Sequence, residues 1–255
     1  MSFTIMEMKK GKIYIGTSGW KYAHWEGTFY PESLKKKDHL KYFTSIFQTV
    51  ELNNSFYRQP KIHNFQSWRE QVPKNFIYSV KANRYFTHLK KLKVSKEEIE
   101  IFIEAASGLE EKLGPILFQL PPRWKINIER LGNFLSILPK GERYTLEFRD
   151  HTWYTPEVYA LLEKYNCAFC IYELAGHQSP LWSTADFVYI RLHGPGEKYQ
   201  GSYSDESLAD YYKLLQTWLE DGKDVYLYFD NDEAGYAAKN AITLQQMFDN
   251  ETTDR

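Results

Sequence analysis

This sequence is short of charge of one sign, of cysteine and of long apolar runs, and each scarcity excludes something. Its 255 residues carry 32 Lys+Arg against 33 Asp+Glu, so no net field draws the chain to nucleic acid or to an anionic membrane surface. Two cysteines cannot staple a chain of this size, and they suit a reducing compartment. No apolar run is long enough to span a bilayer, and Met1–Gly11 is mixed and polar, without the core of a secretory leader. The expectation is a cytoplasmic protein with no membrane and no nucleic-acid partner. Basic residues at Lys35–Lys37 and His88–Lys93 read as solvated faces rather than a binding stripe. Linkers and low-complexity tracts are also missing, which argues for a single domain with its core over about 12–248. What is abundant is aromatic surface: 20 Tyr, 16 Phe and 7 Trp must be buried or must line a concave site.

Segments with a period of two alternate with segments of helical period. Strands are expected at 12–17, 49–53, 76–82, 114–120, 143–149, 167–172, 186–193 and 225–230. Helices are expected near 38–47, 62–71, 95–111, 128–138, 155–165, 205–220 and 232–248. Ser95 and Glu98 form a capping box, Thr155-Pro156 is a helix start, and Asp232 is placed to cap the last helix. Only a short link separates the sixth and seventh strands, so the helix there is short or missing. Eight strands alternating with helices in one domain-sized chain imply the α/β class and a (β/α)8 TIM-like barrel. The competing open doubly wound sheet lacks its signature, because Gly16–Gly19 does not match G-x-G-x-x-G.

Each strand carries its polar residues on one face. Taken as inward, that row is Glu51, Asn53, Ser79, Lys81, Gln119, Glu147, Arg149, Tyr172, Tyr189, Arg191, His193, Tyr226, Tyr228 and Asp230. Three carboxylates (Glu51, Glu147, Asp230) face three cations (Lys81, Arg149, Arg191) and one imidazole. Barrel interiors are ordinarily filled by branched apolar side chains, and these residues crowd toward strand C-termini, where barrels of this kind place their chemistry. A closed ion-pair network that only fills the barrel is the competing reading. Cys167 and Cys170 lie on one strand and point to opposite faces, so they are structural rather than a redox or zinc pair.

Seven stretches in order carry a resemblance: Gly16–Trp25 (GTSGWKYAHW), Glu51–Tyr57 (ELNNSFY), Lys81-Ala82 with His88, Leu117–Pro122 (LFQLPP), Glu147–Arg149 (EFR) with Trp153, Arg191–Gly194 (RLHG), and Tyr228–Asp232 (YFDND). They resemble the YecE-like family, domain of unknown function 72. The likeness runs from about Ile13 into the final helix and implies a TIM-like barrel without implying a reaction. Asp230 departs from the family pattern, which has Asn there, and is left out of the candidate site.

The reading that these residues support is an enzyme acting on a small anionic molecule bearing phosphate or carboxylate, with sugar- and nucleotide-like molecules among the candidates. Glu51, Glu147 and His193 would supply acid–base catalysis. Lys81, Arg149 and Arg191 would hold the anion, and Asn53, Gln119, Trp20, Tyr57, Trp153, Tyr199, Tyr203 and Asn231 would complete the binding surface. No cofactor and no metal ligand set is expected. The alternatives are a non-catalytic binder of an anionic ligand and a metal-dependent phosphoesterase or isomerase using Glu51, Glu147, His193 and Asp230. In the catalytic reading, Arg191→Ala or Glu147→Ala abolishes ligand binding and leaves the fold intact. His24 and the other scattered histidines read as surface or packing residues.

Overall fold

Runs rich in β-branched and aromatic residues form the strands. In order they are β1 (Ile13–Thr17), β2 (Thr49–Leu52), β3 (Ile77–Lys81), β4 (Leu113–Gln119), β5 (Tyr144–Glu147), β6 (Cys167–Leu174), β7 (His177–Gln178), β8 (Phe187–Leu192) and β9 (Asp224–Phe229). The structure, a computed structural model, describes residues 9–253. Residues 1–8, most of the polar Met1–Gly11 segment, lie outside that range.

Eight of these strands pair in parallel in the order β1-β9-β8-β6-β5-β4-β3-β2. The sheet curls until its ends meet, through one bridge between Ser18 and Glu51. Contact at that seam is close: a Cβ on Gly16 would lie 2.4 Å from the Thr49 carbonyl oxygen. The result is a nearly closed (β/α)8 barrel, as the alternation of elements implies.

The crossover helices are α1 (His39–Ile46), α3 (Ile62–Glu70), α4 (Lys96–Ala106), α5 (Ile128–Ile137), α6 (Pro156–Lys164), α7 (Asp205–Glu220) and α8 (Tyr236–Thr253), with a single turn, α2 (Asn54–Tyr57), after β2. Local chemistry sets their starts. Ser95 and Glu98 cap each other's backbone amides, Thr155 accepts from Val158 ahead of Pro156, and Asn127 and Ser204 cap α5 and α7. No helix follows β6. The chain turns back instead as β7, antiparallel to β6. Two boundaries depart from the periodicity. Helix α4 stops at Ala106 because Glu110 adopts φ 49°, and α8 begins at Tyr236 because Asp232 is engaged elsewhere.

The core has two shells. Outside the barrel, Phe43, Phe65, Phe102, Phe118 and Phe134 fill the space between strands and helices. Inside, Leu117, Ala168, Cys170, Phe187, Tyr189, Tyr226 and Tyr228 plug the interior. Tyr226 lies toward the N-terminal end, where its hydroxyl takes a hydrogen bond from Arg143, which also pairs with Asp224 at 2.8 Å. With the lower barrel closed by packing, polar chemistry is confined to the opposite end.

Among the described residues, no helix is long and apolar enough to cross a membrane.

Candidate functional site

Arg191, on β8, is the centre of the upper barrel and is 1% exposed. All five of its N–H donors are spent. Nε and Nη2 hold Glu51 from β2 in a bidentate pair at 2.9 and 2.8 Å. Nη1 reaches Glu147 at the end of β5 at 2.9 Å and His193 Nε2 at 3.3 Å, and Nη2 also reaches Asp230 at 3.1 Å. Arginine was expected to clamp a ligand, but Arg191 has no donor left with which to do it.

The carboxylates are equally committed. Glu51 accepts from Arg191 twice, from Ser18 Oγ at 2.7 Å and from the Tyr189 hydroxyl at 2.7 Å, which fills its four acceptor positions. Glu147 accepts from Arg191 and from Arg149 Nε. Burial would raise its carboxyl, but the Arg149 and Arg191 guanidiniums outweigh that and hold it far below the usual range.

His193 has a single arrangement open to it. Nε2 faces Arg149 Nη2 at 2.9 Å as well as Arg191, and guanidinium groups only donate, so Nε2 carries a lone pair. The proton therefore sits on Nδ1 and is donated to Asp230 Oδ2 at 2.9 Å. Burial, reinforced by Arg191, lowers this histidine to about 4. Asp230, which the family pattern set aside, is thus an integral member. Burial raises its carboxyl, and the His193 hydrogen bond then brings it below the ordinary value. Three carboxylates, two guanidiniums and a neutral imidazole leave the network with one negative charge.

Lys81 differs from the other interior cations. It stands at the end of β3, half-buried, with its Nζ 4.5 Å above the Phe56 ring and no ion pair or hydrogen bond to its ammonium among the described residues. Its backbone is held rigidly: Ser55 Oγ donates to the Lys81 carbonyl at 2.6 Å, and Asn83 Nδ2 in turn donates to the Ser55 carbonyl at 3.0 Å. Burial, then the Arg191 charge, lower the amine to about 8, while Glu51, Glu147 and Asp230 pull the other way.

Lys81, Arg191 and Asp230 form the floor of a cavity of about 630 Å³ at the C-terminal mouth. Tyr22, Phe56, Tyr57 and Tyr199 wall it, and Asn53, His24, Asp232, Glu233, Lys198 and Gln200 complete its rim. Asp232 takes a hydrogen bond from Trp25 Nε1 at 2.6 Å and pairs with His24 Nε2 at 3.3 Å. Burial raises its carboxyl to about 6. Among the described residues, no group of three or more His, Cys, Asp or Glu side chains is arranged to hold a metal ion. The three interior carboxylates converge on a guanidinium.

Of the residues expected at the site, Lys81, Arg191, Asn53, Tyr57 and Tyr199 line this cavity, and Glu51, Glu147, Arg149 and His193 lie in the network beneath it. Five do not line it. Trp153 is fully buried, stacked on Phe148 at 4.9 Å with its indole N–H given to the Trp124 carbonyl. Tyr203 packs on Phe229 and accepts from the Gly194 amide, and Asn231 ties the Gly201 carbonyl to Asn240. Gln119 is half-buried beside Glu147 on the neighbouring strand, and Trp20 is buried beyond Tyr22 in a smaller cavity of about 310 Å³. Conversely, His24 and Asp232 sit on the rim although they were read as packing and helix cap. Both fall inside the quoted motifs, which was the available signal. Lys198, Gln200 and Glu233 carried none.

The loop bearing Lys198 and Tyr199 turns at Gly194, where φ is +106° and an added Cβ would lie 2.1 Å from the Gln200 carbonyl oxygen. Gly194→Ala is expected to cost about 1–3 kcal/mol and to loosen this wall. Urea unfolding checks the first effect and limited proteolysis between Pro195 and Ser202 the second.

Three comparisons agree with this architecture. The family model described as "Protein of unknown function DUF72" matches residues 14–255. The UPF0759 protein YunF of Bacillus subtilis is 26% identical over 93% of this chain and 95% of its own. The UPF0759 protein YecE of Escherichia coli is 28% identical over 54% of this chain and 48% of its own. The crystal structure of a DUF72 family protein from Thermotoga maritima superposes with a TM-score of 0.85 at 29% identity, covering 93% of this chain and 99% of that one. SacUVDE, at 10% identity and a TM-score of 0.56, shares the fold alone. The chain belongs to the DUF72 family of proteins of unknown function.

Proposed function

We propose that this protein is an enzyme acting on a small anionic substrate by acid–base chemistry at the C-terminal mouth of its barrel. One observation carries the reading. Lys81 is a cation in a cavity of substrate size, free of any ion pair among the described residues, and burial lowers its amine to about 8. A group with that placement and that pKa is suited to exchange protons at physiological pH. The acid–base role moves to it from His193, whose lone pair is committed to two arginines. Among the described residues, Lys198 and Lys81 are the cavity lysines and their ammonium groups are in no ion pair, so they, rather than Arg191, would meet the anionic part of a ligand. The saturation of Glu51, Glu147 and His193 also favours a second reading, a binding protein with no chemistry.

The test is a thermal-shift screen of sugar phosphates, 2-oxo acids and hydroxy acids, followed by NMR assay of each stabilising compound. The amine must be unprotonated to act as a base, so turnover should rise with pH through about 8 and then level. The charges facing Lys81 are Arg191, Glu51, Glu147 and Asp230, with His88 nearby; Arg191, held above its ordinary value, and Glu147 and Asp230, held below theirs, keep their charge across that range. Lys81→Met should lower turnover about 100-fold or more. A compound that binds and is never converted at any pH would sink the enzyme reading and leave the binder.

A further inference from the structure

The same lysine supports a more specific chemistry, which rests on the reading above. We infer that Lys81 forms a Schiff base with the carbonyl carbon of a small hydroxyl-bearing aldehyde or ketone.

The placement meets what such a lysine needs. Its backbone is fixed at a strand end by the Ser55 and Asn83 hydrogen bonds, so the amine is presented from a rigid element. Its side chain opens into the cavity, and among the described residues no carboxylate holds the ammonium in an ion pair. The face of Phe56 and the buried floor disfavour hydration of the charge, and an amine lowered to about 8 has an appreciable neutral fraction near pH 7. Beneath it lies a network of six hydrogen-bonded side chains with one uncompensated negative charge. That charge faces whatever cation sits at Nζ. An iminium ion retains the positive charge of the ammonium it replaces, so the preformed field stabilises the product of the condensation as well as the free enzyme.

The step balances without a further reagent. The Nζ lone pair attacks the carbonyl carbon and an N–C bond forms, while the C=O π pair moves to oxygen, which takes a proton. Nitrogen loses a proton, the hydroxyl leaves with another as water, and the nitrogen lone pair closes the C=N bond. Asp232, whose carboxyl burial raises to about 6, is ionised for the most part near pH 7 and is suited to relay that proton from solvent. The rest of the cavity describes the substrate class. Aromatic faces at Tyr22, Phe56 and Tyr199 pack against C–H surfaces, and carboxylates at Asp230, Asp232 and Glu233 accept from hydroxyls. Such a wall suits an open-chain sugar or hydroxyketone that carries at most one anionic group, which Lys198 would meet, and repels a polyanion.

The experiment incubates the full-length protein near pH 7 with glycolaldehyde, dihydroxyacetone or pyruvate and sodium cyanoborohydride, followed by intact mass and peptide mapping. One reduced adduct on the peptide carrying Lys81 is expected, and it should disappear in Lys81→Arg, which keeps the cation and removes the nucleophile. Labelling spread evenly over surface lysines, or none with all three probes, overturns the inference. Deuterium exchange at the α-carbon of dihydroxyacetone, followed by NMR, separates the two levels. Exchange that depends on Lys81 without a trapped adduct overturns the Schiff base and retains Lys81 as a general base. An adduct on pyruvate with none on the two hydroxy-carbonyls refutes the substrate class inferred from the walls.

Discussion

Replacing Arg191 with methionine is expected to cost about 3–5 kcal/mol of folding stability. The side chain is 1% exposed and satisfies Glu51, Glu147 and Asp230 together. Without it, those carboxylates face one another in a dry interior with Arg149 as the nearest guanidinium. Breaking a buried pair from one side is costly because the survivor keeps its desolvation penalty and loses its compensation. This outcome differs from the one expected of a ligand clamp, in which binding fails and the fold survives. Urea denaturation followed by circular dichroism reads the difference, and a loss below about 1 kcal/mol would mean that water or rearrangement replaces the guanidinium. A control follows from the same physics. Replacing Arg191, Arg149, Glu51, Glu147 and Asp230 together by uncharged residues of similar size should recover much of the stability, because the charges are then removed as a set.

The second large effect is acid lability that begins above the carboxylate range. His193 is fully buried and held neutral, with its folded value near 4 against an ordinary value of 6.5. Between those limits the unfolded chain binds the proton and the folded chain does not, so stability falls as pH falls. Stability from this group is undiminished above about 6.5, and its loss, at 1.36 kcal/mol for each unit of difference, amounts to about 3 kcal/mol by pH 4. Glu147 and Asp230, both held below their ordinary values of 4.5 and 3.8, add a further loss of the same sign at lower pH. Asp232, raised to about 6, works in the opposite sense below that pH and offsets part of the loss, so the downward slope of the denaturation midpoints should be steepest from about pH 7 to 6 and is read as the difference from a His193 variant. His193→Gln, whose amide oxygen can still accept from the arginines, should be less stable near neutrality yet much flatter across that window. An unchanged slope in the variant would place the titrating group elsewhere.

Much of the fold was legible because the relevant signals are local. Alternation along Phe187–Leu192 assigns faces, Ser95 with Glu98 marks a helix start, and the short link after Tyr172 makes a full helix there doubtful, where the chain instead turns back as β7. The inward polar row was legible for the same reason, since period two fixes which side chains share a face. Partnership was not. Nothing in the chain order tells that Arg191 reaches Glu51 with every donor occupied, or that the His193 lone pair points at two guanidiniums. The rim was hidden further, because His24 and Asp232 meet across 208 residues through loops with no periodicity to read. Trp153 shows the opposite error: a residue inside a family motif can be there to pack, as its stacking on Phe148 demonstrates.

The position of Arg191 in the chain has a consequence for assembly. Glu51 precedes its guanidinium partner by 140 residues and Glu147 by 44. A half-barrel built from the first five strands therefore carries two inward carboxylates with only Arg149 to meet them, and it is penalised for collapsing early. The reward for closing the ring arrives only when β8 docks, and it arrives at several contacts at once. Such long-range dependence slows folding, and it also makes the last step all-or-none, so a truncated or nicked chain has no dry interior to hold.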